Sequence, residues 1–118
     1  MSEEKAKEEP KNLSEEAFAE YATNFFDDVI MKTLTSKGKQ YSGDKSTNAL
    51  VNFLEGAKVM NTSPQSYLLT VATKHWLSLG LWASGKSQQN VVGIVERCKD
   101  VIIYMLLLIW MLDTDQVE

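Results

Sequence analysis

The sequence predicts an all-α protein: an antiparallel bundle of about four helices that associates with further copies of itself. Three observations predict this. Apolar residues recur at three- and four-residue spacing in separate segments divided by polar stretches. No segment alternates apolar and polar as a strand does, and no long repeat is visible. The second half of the last segment, Val101 to Leu112, is apolar on every side, and such a helix must be covered on every side, more than three partners in so short a chain supply.

The elements follow in order. Residues 1–12 are almost all Glu, Lys, Ser and Ala, too polar to offset the entropy of ordering, and read as a disordered charged tail before a single helical domain over 13–118. Ser14 is a good N-cap, with Glu15 and Glu16 favourable against the helix dipole. Leu13 and Phe18 have the spacing of a hydrophobic staple. Phe18, Ala22, Phe25, Phe26, Val29, Ile30 and Leu34 continue the helix to about Thr35. Ser36 to Ser46, with glycines and lysines, reads as a loop.

A shorter helix is predicted from about Asn48 to Met60, stopped by Asn61-Thr-Ser-Pro64. Ser63 then caps a third helix, with Pro64 in its first turn, running to about Ala83 and burying Leu68, Val71, Ala72, Leu79 and Trp82. Ser84 to Gln89 is a second polar loop, and a last helix runs from about Asn90 to Leu112. Met105, Ile109 and Trp110 are expected among the contacts between copies.

Composition excludes several classes. The 118 residues suit one domain, and 44% apolar with 24% charged is ordinary for a globular protein. One cysteine allows no intrachain disulfide, and with a single histidine it allows no Cys/His zinc site. Cys98 reads as a reduced thiol filling the core. The charged N-terminus lacks the apolar stretch of a signal peptide, and the run Val101 to Leu112 is shorter than the roughly 20 residues of a membrane span. The expectation is a cytoplasmic protein with no membrane partner. A net charge of −4 also argues against general nucleic-acid binding.

That net charge hides a separation. Residues 13–28 and 100–118 hold acids and no base, whereas residues 29–99 hold nine bases against three acids. The basic middle carries both loops and the helix starts after them, where lysines, loop amides and helix N-termini together suit an anion. Solvated surface lysine is the plainer reading of the same charges.

Several constellations bear on chemistry. Gly38 to Lys45, GKQYSGDK, is not a P-loop: no lysine directly follows its second glycine and no strand precedes it. Tyr67, Thr70, Lys74 and Ser78 fall on one polar stripe of the third helix, with His75 one step round beside Val71 and Leu79, where a satisfied core histidine is the commoner outcome. On the fourth helix Glu96, Asp100 and Tyr104 share a face with Arg97 beside them. Two carboxylates a turn apart suit Mg2+, or equally an ion pair with Lys74 or Arg97. Only Asp44 and Glu55 add carboxylates in the basic middle, fewer than two-metal phosphate chemistry usually takes. His75 has no Gly-x-Ser-x-Gly elbow to serve.

The order Lys37-Gly38-x-x-Tyr41-Ser42-Gly43-Asp44, Asn52-Phe53, Tyr67-Leu68, Lys74-His75 and Glu96-Arg97-x-x-Asp100-x-x-x-Tyr104 resembles the nucleotide modification associated domain 1 family, over about residues 34–112. Its members are small helical proteins common in phages and prophages, similar in size and layout to the all-α MazG-like nucleotide pyrophosphatases. The resemblance implies nucleotide handling and carries interest onto Tyr41, Ser42, Gly43, Lys74, His75, Arg97, Asp100 and Tyr104. The chain departs from the pattern where relatives often read Asp-Tyr and it reads Gln40-Tyr41. The Glu-x-x-Glu and Glu-x-x-Asp pairs of a MazG-like enzyme are also replaced by four-residue spacings, Glu16 with Glu20 and Glu96 with Asp100.

Three functional expectations follow. The first is a phage-type protein that binds a nucleotide or other phosphorylated signalling molecule between helices and sequesters a host immune signal in the host cytoplasm. Lys74 and Arg97 would hold phosphate, His75 and Tyr41 the base, Ser42 and Gly43 would donate, and Asp100 would orient a cation; neither catalytic residue nor cofactor is needed. The second is a Mg2+-dependent pyrophosphatase using Glu96 and Asp100 with Asp44 or Glu55. The third is an inhibitor of a host protein acting through the acidic first helix, Glu15, Glu16 and Glu20.

Overall fold

The computed structural model describes residues 12–35 and 50–118, and every regular element among them is helical. The tail, the loop with Tyr41, Ser42, Gly43 and Asp44, and the expected start of the second helix at Asn48 lie outside the described residues. The chain divides into two compact units, Met1–Lys32 and Thr33–Glu118.

In the first unit α1 begins at Glu15–Phe25 with Ser14 Oγ accepting from the Ala17 amide. The helix widens to a π turn over Phe26–Ile30, where the Met31 amide reaches back to the Phe26 carbonyl, and is α-helical again over residues 31–35, of which 33–35 belong to the second unit. The expected staple is not formed. Leu13 and Phe18 are 89% and 71% exposed, because within its own unit this helix has no described second surface on which to bury them.

The second unit is built from α2 (Val51–Val59), α3 (Pro64–Ala83) and α4 (Val91–Asp113). The caps explain the boundaries. Ser63 Oγ accepts from the Ser66 amide with Pro64 in the first turn, and Asn90 Oδ1 accepts from the Gly93 amide. All three helices end in one way, with a residue of positive φ, Asn61, Gly85 or Asp115, just past the cap. There the amides of Asn61 and Thr62 return to the carbonyls of Lys58 and Ala57, and the same pair of bonds recurs at Gly85–Lys86 and Asp115–Gln116.

Helices α3 and α4 run antiparallel. Gln65 near the start of α3 exchanges hydrogen bonds with the backbone of Glu118, while Ser78 near its end accepts from Gln89 just before α4. Helix α2 lies against α3. The core is Leu50, Leu68 and Met111, walled by Phe53, Leu54, Tyr104, Leu107, Leu108 and Val117. Each such fully buried aliphatic side chain contributes about 1.5–3 kcal/mol. Leu68 and Ala72 are buried as expected, and Val71 and Leu79 half-buried. Trp82 is not buried but 44% exposed, because it stands in the last turn of α3, beyond the part of that helix that α2 reaches through Phe53 and Tyr67. Cys98, expected in the core, is also exposed. No helix among the described residues is long and apolar enough to cross a membrane.

Candidate functional site

Midway along the α3–α4 contact the packing turns polar. Position 75 lies three residues after Ala72 and seven after Leu68, on the inward face of α3, so the His75 ring is only 6% exposed. From α4 come Arg97, Asp100 and Tyr104, one helical turn apart in succession.

Arg97 Nη1 meets His75 Nδ1 at 3.0 Å. A guanidinium has donors only and keeps its charge, so Arg97 donates and Nδ1 accepts. An accepting Nδ1 carries no proton. The imidazole in this arrangement is therefore neutral, with its proton on Nε2. Asp100 Oδ2 stands 3.6 Å from the same Nδ1, too far for a hydrogen bond and facing a lone pair. If His75 were protonated at Nδ1, that nitrogen would donate to Asp100 and release Arg97. One buried nitrogen thus has two mutually exclusive partners, and its protonation state selects between them.

Aromatic rings fix this group in place. Tyr104 lies over His75 with ring centroids 5.6 Å apart and planes 33° from parallel. Phe53 of α2 meets Tyr104 edge-on at 6.0 Å and 87°, and Tyr67 of α3 at 6.4 Å and 63°. Such pairs add about 0.5–1.5 kcal/mol each beyond the area they bury. Gly56 makes room for the row, since a Cβ there would overlap the Tyr67 ring. Phe53 and Tyr67 are structural members that the charge pattern alone did not mark. Phe53 was signalled by apolar periodicity and Tyr67 by the polar stripe, and both by their place in the family-like motif.

The site residues expected from sequence divide into three groups. His75, Arg97, Asp100 and Tyr104 come together. Lys74 sits one residue from His75 but about 100° around the helix, exposed and bonded to no described residue. Tyr41, Ser42 and Gly43 lie outside the described residues. The stripe of Tyr67, Thr70, Lys74 and Ser78 does not act as a unit: Tyr67 packs on Phe53, Thr70 bonds its own helix at Ser66, and Ser78 accepts from Gln89.

Glu96 is taken by Lys99 at 2.9 Å, with half of its side chain exposed. Among the described residues no three of His, Cys, Asp and Glu gather as a metal ion would require. Arg97 forms no ion pair among them, so a half-buried cation is held by a neutral ring. Comparison of the chain with family models, with curated proteins and with solved structures gives no match.

Proposed function

We propose that the second unit binds a nucleotide or nucleotide-derived signalling molecule through its phosphate, with Arg97 as the principal contact. One observation carries this reading: the half-buried guanidinium is anchored by His75 Nδ1 through one nitrogen and has no carboxylate paired with it among the described residues. A guanidinium offers five donors in a fixed fork, so the anchor leaves donors for a bidentate phosphate. His75 is too buried to stack on a base, and its role in this reading is to position Arg97. Tyr104 supports the ring, Asp100 supplies the counter-charge when the site is empty, and exposed Lys74 draws an anion toward the site. Tyr41, Ser42 and Gly43 enter on the sequence resemblance alone, as loop donors.

In this reading the protein acts by holding its ligand. It works in the cytoplasm, that of a host cell if a phage encodes it, as a homo-oligomer that removes an immune signal from circulation. Isothermal titration with a panel of nucleoside mono-, di- and triphosphates and cyclic dinucleotides, followed by recovery of the ligand, tests it. Saturable binding with intact ligand is expected. Each charged hydrogen bond to phosphate is worth about 1.5–3 kcal/mol, so Arg97→Ala weakens binding roughly ten- to a hundredfold. Absence of binding across the panel overturns the reading. Cleaved ligand in the presence of Mg2+ replaces it with the pyrophosphatase reading, in which Asp100→Ala abolishes turnover.

A further inference from the structure

Helix α4 carries a second ordered pattern on the side away from Arg97 and Asp100. Val91, Val95, Cys98, Ile102, Met105, Ile109 and Leu112 follow one another at alternating steps of four and three residues. This is the heptad spacing of a coiled-coil seam, kept for about three heptads over the helix's 23 residues. One set of positions is β-branched throughout: Val95, Ile102 and Ile109. The other set is Val91, Cys98, Met105 and Leu112. At 100° per residue the stripe faces nearly opposite to Arg97, Asp100, Tyr104 and Met111, which serve the interior of the unit.

Among the described residues this stripe stays at the surface. Its six side chains other than cysteine are between 37% and 78% exposed, and Cys98 is exposed as well. A surface helix with one inward face ordinarily turns charge outward. Here both faces are apolar, and among the described residues of this unit only one is packed.

We infer that the stripe is the seam of a parallel, in-register coiled coil with α4 of a second copy of this chain. The occupant follows from the pattern itself. A continuous heptad stripe is self-complementary, because each knob needs a hole made by residues at the same spacing. Its β-branched first positions, facing their own kind, are one half of the pattern that favours two parallel strands; the other half, leucine at the second positions, is met at Leu112. The flanks agree. In this register Ile94 faces Lys99 of the second copy, Val101 faces Leu106, and Leu108 faces Asp113, so no like charges meet. Lys99 is already neutralised by Glu96 at 2.9 Å. The seam runs about 35 Å, the full helix. The ligand-binding face stays outside it, so association leaves Arg97 accessible, and the inference stands whether or not a nucleotide binds there.

Cys98 supplies the test, because it is the single cysteine of the chain and belongs to the seam. Only the parallel, in-register pairing sets it against its own copy. An antiparallel pair overlapping along the whole stripe, with Val91 opposite Leu112, sets it against Met105. Sedimentation equilibrium of the full-length protein should give twice the chain mass. Mild oxidation with copper–phenanthroline should give a covalent dimer that the Cys98→Ser variant does not form. Ile102→Glu places a charge in the dry seam and should weaken dimerisation about a hundredfold or more, with circular dichroism unchanged because residue 102 is surface in the single chain. Ile109→Glu gives a second, independent disruption if the first variant folds poorly. A monomer at every concentration overturns the inference, as does a dimer that Ile102→Glu and Ile109→Glu leave intact. A dimer without the Cys98 crosslink overturns the parallel register. Binding of the monomer to phosphatidylcholine–phosphatidylglycerol vesicles through the same residues overturns it in favour of a lipid surface.

Discussion

Two stretches of the α3–α4 contact, a few turns apart on the same two helices, are built on opposite chemistry. Around Leu68 and Met111 the contact is buried, and Leu50, Leu68 and Met111 at its centre carry no polar side-chain atom that needs a partner. Around His75 and Arg97 a buried imidazole and a half-buried guanidinium depend on each other. The first stretch stabilises through area and fit. The second holds a donor fork in a defined place, and holding a cation partly away from water costs stability unless its partner is present. The apolar end anchors the fold; on the proposed reading the polar middle is kept for the phosphate that Arg97 would hold.

That contrast can be broken from either end. The largest expected effect is at the dry end: Leu68→Ala or Met111→Ala opens a cavity among fully buried groups and should cost about 2–5 kcal/mol in urea unfolding. A smaller loss is expected in the polar middle. His75→Leu leaves the Arg97 donor without its acceptor and should cost about 1–3 kcal/mol. Adding Arg97→Met should return most of that stability while nucleotide binding stays lost, because an apolar pair replaces an interdependent polar one. A double mutant less stable than His75→Leu alone would show that the pair is there for the fold. The smallest effect lies outside both stretches: Gly85→Ala puts a Cβ on a residue with φ of +76° and should cost about 1–2 kcal/mol of thermal stability without touching binding.

Much of the fold was legible residue by residue. Ser14, Ser63 and Asn90 start their helices because each can satisfy an amide that the first turn leaves open, a demand written within three residues of sequence. The π turn at Phe26–Ile30 was not legible, since one added residue per turn leaves the local apolar spacing nearly helical. The exposure of Trp82 depends on where α2 stops covering α3, which periodicity within α3 does not encode. In the site, spacing placed Arg97, Asp100 and Tyr104 on one face and the structure brought them to His75. Lys74 looked equivalent to His75 as a neighbour in sequence, yet one step of 100° separates an exposed chain from a buried one.

By itself the sequence determined that the described residues are helical, where α1, α3 and α4 start, and that the second half of the last helix is apolar on every side. These are matters of local hydrogen bonding and of the 3.6-residue turn, which act over a few neighbours. The tertiary structure decided which face of α4 meets α3, that Arg97 rather than Asp100 holds the His75 nitrogen, and that among the described residues the heptad face stays at the surface. Those outcomes rest on distances between residues far apart in the chain, and no local rule of spacing carries them.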